Sequence, residues 1–152
     1  MAEALPYSEG SVFSVPLREG GFARGIVARA APEGVTLFGY FFGPKMKSVT
    51  DLNMDELSPE NAVLSVVFGD LGLMNGEWSV IGALPDWQRE EWPMPDFVRR
   101  DDIGKRAWRV RRSDNDPSVV ESEEPTDFDT NLPPNWSSGY GSVELKLTKL
   151  LG

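Results

Sequence analysis

Residues 11–43 hold three apolar runs cut by two glycine-bearing turns, and this pattern constrains the fold more than any other feature of the chain. In "SVFSVPL" (11–17), Val12, Ser14 and Pro16 fall on one side, and Phe13, Val15 and Leu17 on the other. An apolar side opposite a mixed one is the period of a half-buried strand. "REGG" then supplies turn chemistry, because its two glycines adopt positive φ without strain. "FARGIVARA" (22–30) and "VTLFGYFFG" (35–43) follow, separated by a second turn, "APEG". Three strands with short turns predict an antiparallel meander, and Gly25, Gly39 and Gly43 predict bends or bulges in a curling sheet.

Three more strands are expected near 63–69, 78–84 and 106–112. Between the meander and the first of these, Ser58 and Pro59 predict one short helical turn. In "RAWRVRRS" (106–113), Trp108 and Val110 share a face while Arg109 and Arg111 share the other, which predicts one wet side. The tail "GSVELKLTKLL" reads as a strand by Val143, Leu145 and Leu147, and as a helix by Val143, Leu147, Leu150 and Leu151. Helix is preferred, with Ser142 as cap and Val143, Leu147 and Leu150 against the sheet. The expected fold is therefore mainly β within an α+β class: a curved antiparallel sheet or partial barrel with a C-terminal helix. At 152 residues, 1–152 is expected to form a single domain.

The side chains that are missing restrict the chemistry. The chain has no histidine and no cysteine. Nucleophilic constellations that pair serine or cysteine with histidine cannot be built, nor can imidazole or thiolate zinc sites. Carboxylates remain. Asp51, Asp55 and Glu56 lack the glycine and terminal glutamate of a calcium loop, and Asp70 with Glu77 is the one pair to nominate for acid–base work. A turn-capping role explains Asp70 more simply. No enzyme activity, metal or cofactor is expected.

Formal net charge is −9, which disfavours nucleic acid and anionic membranes as partners and favours a basic protein. No apolar run approaches the ~20 residues of a membrane span, and the first ten residues carry no export pattern, so a cytoplasmic location is expected. Residues 114–137 read as a long polar loop with seven acids and no lysine or arginine, following a basic block at 99–112. Either the loop folds against that block, or Asp114, Asp116, Glu121, Glu123 and Glu124 face a basic partner. The stretch "WSVIGALPDWQREEWPMPDF" (78–97) holds three of the five tryptophans and three prolines. Trp78 and Ile81 are expected in the core. Trp87 and Trp92, flanked by Asp86, Arg89, Glu90 and Glu91, are expected at or near the surface, either sealing the core or anchoring a partner.

"GSVFSVPLREGGFARGIVAR" (10–29), "GYFFGP" (39–44), "FGDLGL" (68–73) and the tryptophan–proline stretch resemble the Immunity protein 26 family of bacterial polymorphic toxin systems, over roughly residues 10–151. The resemblance implies a mainly β, cytoplasmic antidote that binds a cognate toxin and neutralises it by occlusion. A basic nuclease is one toxin that an acidic antidote would suit. The same grouping carries the name of a coroxon-hydrolysing phosphotriesterase, so a small organophosphate-type hydrolase is the alternative, along with an interaction module unrelated to toxins. No catalytic residue is implied by that name.

Overall fold

The computed structural model describes residues 5–48, 54 and 56–152. Its strands are β1 (Ser11–Pro16), β2 (Phe22–Ala30), β3 (Thr36–Met46), β4 (Leu64–Gly69), β5 (Val80–Ala83), β6 (Phe97–Asp101), β7 (Arg106–Ser113), β8 (Asp116–Thr126) and β9 (Ser137–Ser138). Helix α1 (Leu71–Met74) is one turn, and α2 (Tyr140–Leu151) closes the chain. One sheet has the order β5-β1-β2-β3-β4-β9 and the other β6-β7-β8. All pairs are antiparallel except β4 with β9. The larger sheet stays open, so the fold is the expected mainly β arrangement with a C-terminal helix, without closure into a barrel. Neither helix of the described residues is long and apolar enough to cross a membrane.

The meander forms as its alternation predicts, but it is buried on both faces. Phe13, Val15, Val27, Phe41 and Phe68 project to one side with Trp78, beneath Val143 and Leu147 of α2. Val12, Ile26, Phe38, Tyr40 and Val67 project to the other, beneath Trp92, Phe97 and Val110. Strand β1 is thus covered on both sides, because its second face lies under the smaller sheet and its approach segment. Side chains that alternate along each strand supply both cores at once.

Two meander glycines are explained by rings. A Cβ on Gly25 would sit 2.4 Å from Cζ of Phe13, and one on Gly39 would sit 2.7 Å from the Ile26 carbonyl oxygen and 2.8 Å from Cε1 of Phe68. Both glycines make room for aromatic side chains of neighbouring strands. Trp78 stacks on Phe13 with centroids 5.5 Å apart and planes 8° apart.

Several expectations are corrected. The acidic stretch after Ser113 is not a loop: Asp114 and Asn115 make a two-residue turn, and β8 returns along β7 for eleven residues. Glutamates are poor strand formers in isolation, but here Glu124 lies across from Arg109 and β-branched Val119 and Val120 sit in the same strand. Strand β6 is a further strand beyond those expected. It begins just after Pro93 and Pro95, whose fixed φ and missing N–H disfavour a strand in the residues before it. Strand β5 starts at Val80 and is an edge strand with Val80 and Ala83 exposed, and Ile81 is only half-buried. In α2, Val143 and Leu147 are buried as expected, whereas Leu150 is exposed and Leu151 packs on the core instead. Helix α2 starts at Tyr140, so Ser142 does not cap it. The turn after Ser58 is present as Pro59–Asn61. Asp51 and Asp55 lie outside the described residues.

Candidate partner-binding surface

Beyond β5 the chain crosses the second sheet face as a strap. Its charged neighbours do not hold Trp92 at the surface: Trp92 is 2% exposed, and its ring meets Tyr40 and Phe42 edge-on at 5.3 and 6.0 Å. This overturns the expectation of a surface tryptophan. Trp87 is half-buried and stacks on Trp92 at 5.9 Å. The ring can bury because the polar groups around it find partners. The Tyr40 hydroxyl donates to the Pro93 carbonyl, and Nη1 of Arg29 donates to the Trp92 carbonyl at 3.1 Å.

Arg29, 3% exposed, organises this region. It also donates to the carbonyls of Ala28 (2.6 Å) and Arg89 (3.2 Å) and to Oδ1 of Asp114 (2.7 Å). Arg89 in turn holds Glu9 through two nitrogens at 3.0 and 3.2 Å, and reaches Oδ2 of Asp114 at 3.4 Å. Asp114 thereby pins the β7–β8 turn to the strap. Two forked guanidiniums sharing one carboxylate fix geometry as well as charge.

Strand β8 is an edge of its sheet, and its acids point outward. Glu123 pairs with Arg99 at 3.1 Å. Among the described residues, Asp86, Glu90, Glu91, Asp116, Glu121 and Glu124 make no ion pair within 4 Å, and all but Asp116 are exposed. The cations of β7 turn to Asp96 instead, which takes Arg109 at 2.5 Å and Arg111 at 3.3 Å. Burial of Asp96 pushes its pKa up, but the two guanidiniums together outweigh it and hold the carboxyl below its ordinary value.

The residues proposed from sequence fall into two groups. Asp86, Trp87, Glu90, Glu91, Trp92, Asp114 and Asp116 gather at the β7–β8 turn, where Arg89 joins strap to turn. Glu121, Glu123 and Glu124 lie toward the other end of β8, where Thr126 pairs with Ala107. Irregular pairing shortens the span between the groups: Asp116 lies across from Ser113 and Glu124 across from Arg109, four residues of β7 apart, or about 13 Å at ~3.3 Å per residue. Near that second end, two exposed apolar side chains carry no advance signal: Ile103, 98% exposed in the β6–β7 turn, and Trp136, 56% exposed after Pro134.

The nominated acid–base pair is employed otherwise. Asp70 is nearly buried and accepts from the Tyr7 hydroxyl at 2.7 Å and the Val35 amide at 2.9 Å. The Val35 amide bond, with the Asp70 amide donating back to the Val35 carbonyl at 2.9 Å, braces Val35 at φ 79°, an uncommon backbone state for a β-branched residue. Glu77 is exposed. No group of three or more carboxylates among the described residues is placed to hold a metal ion.

The family described as Immunity protein 26 matches residues 8–109. That span runs from before β1 into β7, and leaves β8 and α2 outside it. No curated protein and no solved structure matches the chain.

Proposed function

Because the chain belongs to the Immunity protein 26 family, we propose that it binds a cognate toxin in the cytoplasm and neutralises it by occlusion, without chemistry of its own. The family supports an immunity role in general. The observation that carries the finer reading is the outer edge of β8, where Glu121 and Glu124 stand exposed without an ion pair among the described residues. Acids that lack a close ion pair, on a chain of charge −9, draw in a basic protein and speed its approach.

The proposed contact set is Glu121, Glu123 and Glu124, extended by Asp116, Asp86, Glu90, Glu91 and Trp87 when the toxin is broad enough to span the strand. Asp114 contributes charge at the rim while holding the turn. Trp92 has no part in the contact, since its ring is enclosed. A nuclease with a basic groove is one toxin of fitting chemistry, and the whole chain, 1–152, acts as one immunity domain.

The test pairs the purified chain with the toxin encoded beside its gene. Binding should weaken as salt rises, and Glu121→Lys with Glu124→Lys should weaken it at low salt with the melting temperature unchanged. Binding that is indifferent to both salt and charge reversal would remove the acidic edge from the interface.

A further inference from the structure

The turn between β6 and β7 presents an isoleucine where turns favour glycine, asparagine or aspartate. Ile103 is 98% exposed, yet the backbone beneath it is firmly braced. Oδ1 of Asp101 accepts the amides of Ile103 at 3.2 Å and Gly104 at 3.1 Å, and Oδ2 pairs with Arg106 at 3.3 Å. The Gly104 amide, ahead of Arg106 and Ile103, holds the Asp101 carboxyl below its ordinary pKa, so the brace stays charged at neutral pH.

The tip is also clamped from the side. Lys105 and Arg100 both lie over the Phe128 ring, at 5.2 and 5.7 Å. Arg100 donates to the carbonyls of Phe128 at 2.7 Å and Thr130 at 2.6 Å. Beside the tip runs a groove lined by Val98, Arg100, Asp102, Pro134 and Trp136. Trp136 is 56% exposed and is steadied by Nζ of Lys146, 4.6 Å from its ring. A projecting apolar side chain on a stiff turn, next to an exposed tryptophan and an arginine, has the composition of a binding hot spot. Its rigidity lowers the entropy lost on association.

We infer that the β6–β7 tip and the Trp136 groove form a docking surface for the toxin, with Ile103 entering an apolar pocket on that protein. This rests on the immunity reading above. A folded protein with a concave apolar pocket is the fitting occupant, because the tip is convex and apolar at its apex. The tip lies at the end of the hairpin where Ala107 pairs with Thr126, so it continues the Glu121–Glu124 end of β8 and not the Asp114 end. A toxin seated there meets an apolar plug with an acidic flank.

The experiment uses the full chain and the protein product of the adjacent toxin gene as the probe. Ile103→Ala should raise Kd about ten-fold or more, and Ile103→Asp further, with unchanged melting temperatures because the side chain touches no core. Since the chain has no cysteine, Ile103→Cys and Leu71→Cys each give a single reactive thiol. Complex formation should protect the thiol of Ile103→Cys from maleimide and leave that of Leu71→Cys, on exposed α1, reactive. If the wild-type chain binds the toxin, but Ile103→Asp binds equally and the Ile103→Cys thiol stays reactive in the complex, the docking surface is refuted and the immunity reading stands. If the wild-type chain binds no such product, both fall. If instead the free chain is a dimer that Ile103→Asp dissolves, the surface belongs to a second copy and the inference is overturned.

Discussion

The Trp78 indole donates to the Glu144 carboxylate at 2.9 Å, across 66 positions of sequence, and this bond ties α2 to the aromatic core of the sheet. The other oxygen of Glu144 meets Arg18 at 3.1 Å. A nearly buried carboxylate is tolerated there because both of its oxygens are engaged.

Removing Glu144 should therefore cost more than removing a surface acid. Glu144→Ala leaves a buried indole N–H without its partner, and a loss of ~1–3 kcal/mol is expected by denaturant unfolding. Trp78→Ala, which also empties the stack against Phe13, should cost ~3–5 kcal/mol. If Glu144→Ala lies within ~0.5 kcal/mol of wild type, the helix is held by Val143 and Leu147 alone.

Tyr7 governs the alkaline side. Burial above all, and then its hydrogen bond to Asp70 and that residue's charge, push the Tyr7 pKa well above its ordinary value. A group whose folded pKa is raised contributes stability that is fully present below its unfolded pKa, ~10, and is lost as pH climbs from there toward the folded value. The melting temperature should fall above about pH 10. Tyr7→Phe should flatten that fall, while lowering stability at neutral pH through the lost bond to Asp70. An alkaline limb that is identical in Tyr7→Phe would place its origin elsewhere.

Asp96 acts at the acid end with the opposite sign. Its folded pKa is lowered by Arg111 and Arg109 against the effect of burial, so its contribution is present above the unfolded value of ~3.9 and disappears as pH drops below it. Asp96→Asn should be less stable than wild type at pH 7, and the gap between them should close by about pH 2–3, followed by circular dichroism. A gap that persists unchanged there would mean that the arginines hold Asp96 by packing and not by charge.

The acids of the β7–β8 hairpin should separate by what they touch. Asp114 joins Arg29 to Arg89, so Asp114→Ala should lower stability by ~1–3 kcal/mol. Glu121→Lys and Glu124→Lys touch no described partner by an ion pair and should stay within ~0.5 kcal/mol of wild type. Thermal melts of the three variants check the division, and a large loss from Glu124→Lys would make its place opposite Arg109 structural.

The parts of the fold that can be read from sequence are those whose signal is local. Strands β1, β2 and β3 follow from alternation between glycine turns, and α2 from Val143 and Leu147 one helical turn apart. Strand β8 is hidden because its acid-rich residues have weak strand propensity of their own and take their state from the backbone ladder with β7. Trp92 is hidden for a similar reason. Its flanking charges look as if they need water, but Arg89 finds Glu9 across 80 positions, which no local pattern can signal. The candidate surface was legible as charge and not as shape. The acidic composition of residues 116–124 marks a face, whereas the exposure of Ile103 and Trp136 depends on where the turn and loop project.

Stoichiometric occlusion is tested most directly by titrating the toxin's activity with the purified chain. Activity should fall linearly to zero at one chain per toxin. The same endpoint should require more chain, at low salt, for the Glu121→Lys, Glu124→Lys double variant, whose melting temperature stays at the wild-type value. Inactivation of many toxin molecules by one chain would contradict occlusion and mark the protein as an enzyme.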